Sequence, residues 1–146
     1  MPREPFRTAN FPASEPISTE IVLPMGDIAI HASARADVEV QIFTHGHSDR
    51  AQQMAGETEI DFSGGHLTIR VPRQRSGFWL FGASAGLDVI VGLPLGSRVH
   101  TETSAGDITL TGELVDVRAK TSLGDVSADV VADGELTSAA GDVRVQ

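Results

Sequence analysis

The sequence predicts an all-β protein: a single-chain, β-solenoid-like stack of short strands with Gly-Asp corners repeating about every 17–18 residues. Three observations carry that prediction. Thr103–Leu110 reads TSAGDITL, Thr121–Ala128 reads TSLGDVSA and Thr137–Val145 reads TSAAGDVRV. The glycines of these copies, Gly106, Gly124 and Gly141, follow one another at intervals of 18 and 17 residues. Apolar and polar residues alternate in short runs through much of the remaining chain, the mark of strands with one buried face. A fixed period of this length means units that bury an apolar face by stacking on their neighbours.

Taken in order, residues 1–16 carry prolines and charges and predict a flexible N-terminal lead-in. Residues 17–146 form the β-strand-repeat domain, expected to be short or truncated at its C-terminal end. Gly26-Asp27-Ile28 resembles the corner of the later repeats. Ile28–Ile30, Val38–Ile42, Leu67–Val71 and Leu87–Val91 alternate with period two and are bounded by turn formers. Ser48–Glu57 is short and contains Gly56, so a loop is expected there. The alternation of GETEIDF places Glu57, Glu59 and Asp61 on one solvated face of a strand.

In each repeat the glycine supplies the positive φ that a sharp corner demands. The following aspartate is expected to accept a backbone N–H across the same corner, as Asx turns do. The predicted structural corners are therefore Gly26/Asp27, Gly106/Asp107, Gly124/Asp125 and Gly141/Asp142. Stacking in register would set Glu102 over Lys120 and Thr103 over Thr121, both favourable cross-strand pairs. It would also pile Asp107, Asp125 and Asp142 in one column, which costs energy unless each carboxylate is engaged. A hexapeptide coil is excluded, because counting in sixes from Ile108 reaches the charged Lys120.

Twenty Asp and Glu stand against 11 Lys and Arg, a formal charge of −9. That surface repels polyanions, so no nucleic-acid partner is expected. With no cysteine, disulfides, thiolate metal sites and cysteine nucleophiles are excluded. The N-terminus lacks the apolar core of a secretory signal, and no apolar run reaches the length of a membrane-spanning helix. The expectation is a cytoplasmic chain with no transmembrane segment.

Two stretches are candidates for contact. Arg73–Gly82 concentrates three of the seven Phe and Trp residues, Phe78, Trp79 and Phe81, beside Arg73 and Arg75. Such a loop either anchors a partner or membrane interface or folds back to cover an open end of the stack. His45 and His47 flank Gly46, with His31 or His66 available to join them; this is a weak candidate for a metal site, which needs three or four ligands in fixed geometry. The aspartate column lacks the dense Gly-Gly-x-Gly-x-Asp pattern of calcium-binding coils. No nucleophile elbow, phosphate-binding glycine loop or HExxH occurs. No catalytic residue, metal or cofactor is therefore assigned.

From Ile17 to Val145 the chain resembles the bacterial putative-adhesin β-strand-repeat, or toastrack, domains. The residues that carry the resemblance are Gly26-Asp27-Ile28, Gly65–Pro72 (GHLTIRVP), Val89–Val99 (VIVGLPLGSRV) and the Ser-x-Gly-Asp-[Ile/Val] repeats. The resemblance implies a stacked β-repeat fold without established catalysis, in some members associated with envelope-stress modules or surface adhesion. The expected function is a non-enzymatic scaffold acting through contact with a protein partner or with itself, a homodimer through the open C-terminal end being the simplest case. The alternative is an adhesin-like or envelope-stress module that recognises a surface or membrane-associated ligand.

Overall fold

The computed structural model describes residues 5–44, 49–71, 87–129 and 134–145. Its elements are β1 (Arg7–Pro12), β2 (Ser18–Met25), β3 (Ile28–Ser33), β4 (Asp37–Thr44), α1 (Asp49–Glu57), β5 (Glu59–Ser63), β6 (His66–Arg70) and β7 (Leu87–Pro94). They continue with β8 (Ser97–Ala105), β9 (Ile108–Thr111), β10 (Leu114–Leu123), β11 (Val126–Ala128), β12 (Gly134–Ala140) and β13 (Val143–Val145). The fold is all-β apart from α1.

Two mixed sheets form. One runs β1-β4-β7-β3-β9-β11-β13, the other β12-β10-β8-β2-β6-β5. A strand of the second sheet leads through a glycine corner into a strand of the first, so β2–β3, β8–β9, β10–β11 and β12–β13 are successive rungs, paired in parallel with their neighbours. Residues with period two point inward from both sheets into one cluster. Ile21, Leu67, Ile69, Val99 and Val117 come from one sheet, and Ile30, Val89, Val91, Ile108, Leu110 and Val126 from the other. Each large aliphatic side chain buried there contributes roughly 1.5–3 kcal/mol.

The predicted register holds: Lys120 pairs with Glu102 and Thr121 with Thr103. The simple solenoid does not. Rungs follow chain order only from Ser97 onward, while β2–β3 lies in the interior of the stack, with β6 and β7 on one side and β8 and β9 on the other. The chain passes beyond β3 to lay down β4, returns through the β5–β6 hairpin, and then inserts β7 between β3 and β4. Gly64 and Gly65, with φ of 57° and 74°, make the two-residue hairpin possible.

Two further expectations are corrected. Arg7–Pro12, inside the supposed flexible lead-in, is a strand paired antiparallel with β4. Ala9 and Phe11 pack against the core, and Phe11 stacks on Phe62 of β5 with ring centroids 5.3 Å apart. Since β1 and β5 border different sheets, this aromatic pair closes one end of the stack. The loop expected over this stretch is the second correction: Asp49–Glu57 is α1, which places Glu57 on a helix rather than on a strand with Glu59 and Asp61. The Arg7 guanidinium donates to the carbonyls of Ala55, Gly56 and Thr58, a cation where a helix C-terminus concentrates negative potential. Ala55 is buried in the core.

A second polar clamp holds β1 and β4. Arg35 forms a two-pronged ion pair with Asp37, with Nε–Oδ1 at 2.7 Å and Nη2–Oδ2 at 3.2 Å, and Asn10 donates to the same carboxylate at 2.7 Å. Those donors, Arg35 foremost, lower the Asp37 pKa to about 2. A depressed carboxyl stabilises the fold above its ordinary value near 3.8 and loses that contribution as it is protonated. Acid titration of the melting temperature should therefore show a decline between about pH 4 and pH 2 that Asp37→Asn flattens; an unchanged acid limb in the variant would refute the clamp.

The corners predict a sharper contrast. A Cβ on Gly124, where φ is +142°, would lie 2.1 Å from the Gly106 carbonyl oxygen, whereas one on Gly56 meets nothing within 4 Å. Gly124→Val should cost at least about 2 kcal/mol in urea unfolding. Gly56→Ala, in an exposed turn of α1, should gain up to about 1 kcal/mol.

Candidate functional site

The predicted corners come together as one column. Built onto each glycine, a Cβ would strike the rung before it: Gly26 meets the Leu87 carbonyl at 1.6 Å, Gly106 that of Gly26 at 1.9 Å, and Gly141 that of Gly124 at 2.0 Å. The column therefore runs Leu87, Gly26, Gly106, Gly124, Gly141. Its first member was not legible as a corner because it lacks glycine. Leu87 is tolerated because β7 is bordered on that side by antiparallel β4, not by another corner.

The aspartates also differ from expectation. Each accepts not within its own corner but from the next rung. Asp27 N–H donates to Asp88 Oδ1 at 3.1 Å, Asp107 N–H to Asp27 Oδ1 at 2.9 Å, Asp125 N–H to Asp107 Oδ1 at 2.9 Å and Asp142 N–H to Asp125 Oδ1 at 2.8 Å. With glycine holding the corner in extended left-handed geometry, the aspartate is presented to the neighbouring rung. Five stacked carboxylates are tolerable because four of them each meet an N–H dipole in a charge-assisted bond.

Backbone bonds run the other way. Ile28 N–H donates to Asp107 O, Ile108 N–H to Asp125 O and Val126 N–H to Asp142 O, each at 2.9 Å, while Gly106 N–H donates to Leu123 O at 2.8 Å. A hydroxyl three residues before each later glycine adds a fourth bond. Thr103 donates to Gly26 O at 3.3 Å, Thr121 to Gly106 O at 2.9 Å and Ser138 to Gly124 O at 2.7 Å. In the third copy this role falls to Ser138 and not Thr137, since register is counted from the glycine. Counting back from the glycine, rather than matching Thr-Ser, would have found it.

The column ends on β12 and β13, the outermost strands of the two sheets. Extending the pattern by one rung, Gly141 N–H and Val143 N–H face outward as donors, and Gly141 O and Asp142 Oδ1 face outward as acceptors. Among the described residues none of these four has a partner. Val143 is 43 % exposed. At the far end β1 and β5 cover the stack, so its two ends are chemically unlike.

On the outer face of the second sheet Arg70 pairs with Glu20 at 3.0 Å, and Glu102 lies beside Lys120. Arg73, Arg75, Phe78, Trp79 and Phe81, and likewise His45 and His47, lie outside the described residues. His31, hydrogen-bonded to Thr111, and His66 sit on different sheets. Among the described residues no group of three or more acidic or histidine side chains is placed to hold a metal ion. No helix of the described residues is long and apolar enough to cross a membrane.

The family model described as Toastrack DUF4097 matches residues 19–146. No curated protein matches the sequence. Among solved structures, a putative cell adhesion protein from Clostridium sporogenes is 7% identical, with a TM-score of 0.50 over 97% of this chain and 99% of its own. A putative lipid binding protein from Parabacteroides distasonis is 14% identical, with a TM-score of 0.47 over 95% of this chain and 65% of its own. The first of these likenesses supports the fold, and at such identity the fold alone.

The carboxylate column makes its own prediction. Asp107→Ala strips the acceptor from Asp125 N–H and should cost about 1 kcal/mol in urea unfolding, whereas Asp107→Asn keeps an oxygen there and should cost less. Equal losses would show that charge, not the acceptor, is what the position supplies.

Proposed function

The chain belongs to the Toastrack DUF4097 family, and from that premise we propose that it is a non-enzymatic β-repeat interaction domain working through protein–protein contact at the open edge of its stack. The observation that carries this reading is the asymmetry of the two ends. β1 and β5 are edge strands too, but at that end the Phe11–Phe62 stack closes the core between the two sheets. β12 and β13 are the outermost strands at the other end, and among the described residues nothing pairs with their outer edges. Uncovered edges of this kind add strands from other chains unless they are blocked by proline, inward charge or a bulge. Neither proline nor a bulge interrupts the described part of β12 and β13.

The simplest contact is with a second copy, edge to edge about a twofold axis. The second reading, recognition of a surface or membrane-associated ligand, draws on residues 73–81, and no described residue adds to it.

Val143→Pro tests the reading, because it deletes an outward N–H while leaving the inward ladder intact. Light scattering should show association of the native protein rising with concentration and lost in the variant at unchanged circular dichroism. A strict monomer at every concentration would remove self-association and confine the reading to contact with a different protein.

A further inference from the structure

The β1/β5 end carries an edge of its own, and the side chains there name an occupant. We infer that β5 adds, as a further strand of its sheet, an extended segment of another protein in which cationic and aliphatic residues alternate. This goes beyond the contact proposed at β12 and β13 and uses none of its residues.

The two strands at this end differ as templates. Ala13 N–H donates to Ala36 O at 3.1 Å. With the β1–β4 register, Phe11, Ala9 and Arg7 therefore turn their main-chain groups toward β4, while Thr8, Asn10 and Pro12 turn theirs outward. Pro12 has no N–H to offer there, and the Asn10 side chain is held by Asp37, so β1 is blunted. In β5 the Gly64–Gly65 turn, with both φ positive, makes Ser63 and His66 a bonded pair. Alternation then directs Asp61 and Glu59 toward β6 and leaves the N–H and C=O of Ile60 and Phe62 facing outward. Neither proline nor a bulge interrupts the strand. It belongs to a hairpin inside the chain, with α1 before it and β7 after, and among the described residues nothing pairs with its outer side.

Ile60 and Phe62 pack against the core yet stay half-exposed, and an added strand would cover them with its own apolar residues. Glu59, Asp61 and Ser63 are exposed on the other face. Arg70 stands opposite Glu59 in the register but gives its guanidinium to Glu20 at 3.0 Å. Among the described residues neither Glu59 nor Asp61 meets a cation. Opposite charges directly across a strand pair stabilise it and like charges destabilise it. A second copy is thus the wrong occupant at this edge, because pairing the outward positions, Ile60 with Phe62, sets Asp61 against Asp61. A strand with lysine or arginine beside Glu59 and Asp61, and aliphatic residues beside Ile60 and Phe62, matches both faces.

A fluorescently labelled, end-capped peptide, Val-Lys-Val-Lys-Val-Lys-Val, is the probe, titrated against the full chain with anisotropy and amide exchange as readouts. In the unbound protein the amides of Ile60 and Phe62 should exchange near the rate of an unfolded chain, and saturating peptide should slow both. Of two peptides N-methylated on every valine or on every lysine, one should bind roughly tenfold or more weakly and the other should keep its affinity, since only one set of amides faces β5. The double variant Glu59→Lys/Asp61→Lys, at exposed positions, should weaken binding by roughly tenfold. No binding, or equal binding by Lys-Lys-Lys-Val-Val-Val-Val, which has the same charge without the alternation, overturns the inference. Slow exchange at Ile60 and Phe62 in the unbound monomer would show that the chain covers this edge itself. Protection that grows with protein concentration would assign the edge to a second copy; either result also overturns it. The contact at β12 and β13 is read separately by Val143→Pro and stands or falls without this one.

Discussion

The structure depends on one close approach: at each corner a main-chain carbonyl occupies the space where any other residue would carry its Cβ. Glycine permits that approach, and it does so at a φ that L side chains rarely adopt. Once two rungs meet this closely, the remaining bonds are within reach. The aspartate after the glycine touches the next aspartate's amide, the following amide finds the next carbonyl, and a hydroxyl three residues upstream of the next glycine seals this glycine's oxygen. Spacing, register and the position of the polar residues all follow from that contact. The aliphatic core between the sheets supplies the bulk of the stabilisation, but it would tolerate a slip that the corners do not.

Legibility in the sequence followed the reach of each interaction. The corners of the last three rungs could be read because their determinants lie within a few residues and recur, and so could the pairing of Glu102 with Lys120. The order of the rungs could not, since the placement of β2–β3 inside the stack is decided by strands that pair far along the chain, such as Ser18 with His66 and Arg98. Leu87 was hidden because a corner with nothing stacked behind it has no need of glycine. The strand at Arg7–Pro12 was hidden because its partners, Asp37 and Phe62, are far along the chain. Its alternation, with Ala9 and Phe11 inward, was present but surrounded by prolines. The helix at Asp49–Glu57 rests on tertiary support from Arg7 and on the burial of Ala55, neither of which a nine-residue stretch announces.

The same geometry gives the domain a direction. Antiparallel strands finish one end, with a proline in β1 and an aromatic pair holding the two sheets together, and that end does not repeat the corner pattern. The other end repeats the donor and acceptor pattern of the interior and is closed by nothing among the described residues. The interaction proposed for the domain rests on that edge. The acidic column reinforces this, since each aspartate is oriented toward the position a further rung would take.

Amide hydrogen exchange by NMR tests the corner ladder most directly. The amides of Asp107, Asp125 and Asp142 belong to exposed residues, yet each donates to the carboxylate of a neighbouring rung. They should exchange only as slowly as the core strands unfold, whereas the outward amides of Gly141 and Val143 exchange near the rate of free chain. Fast exchange at the three aspartates, or protection at Gly141 and Val143 equal to theirs in a monomer, would contradict it.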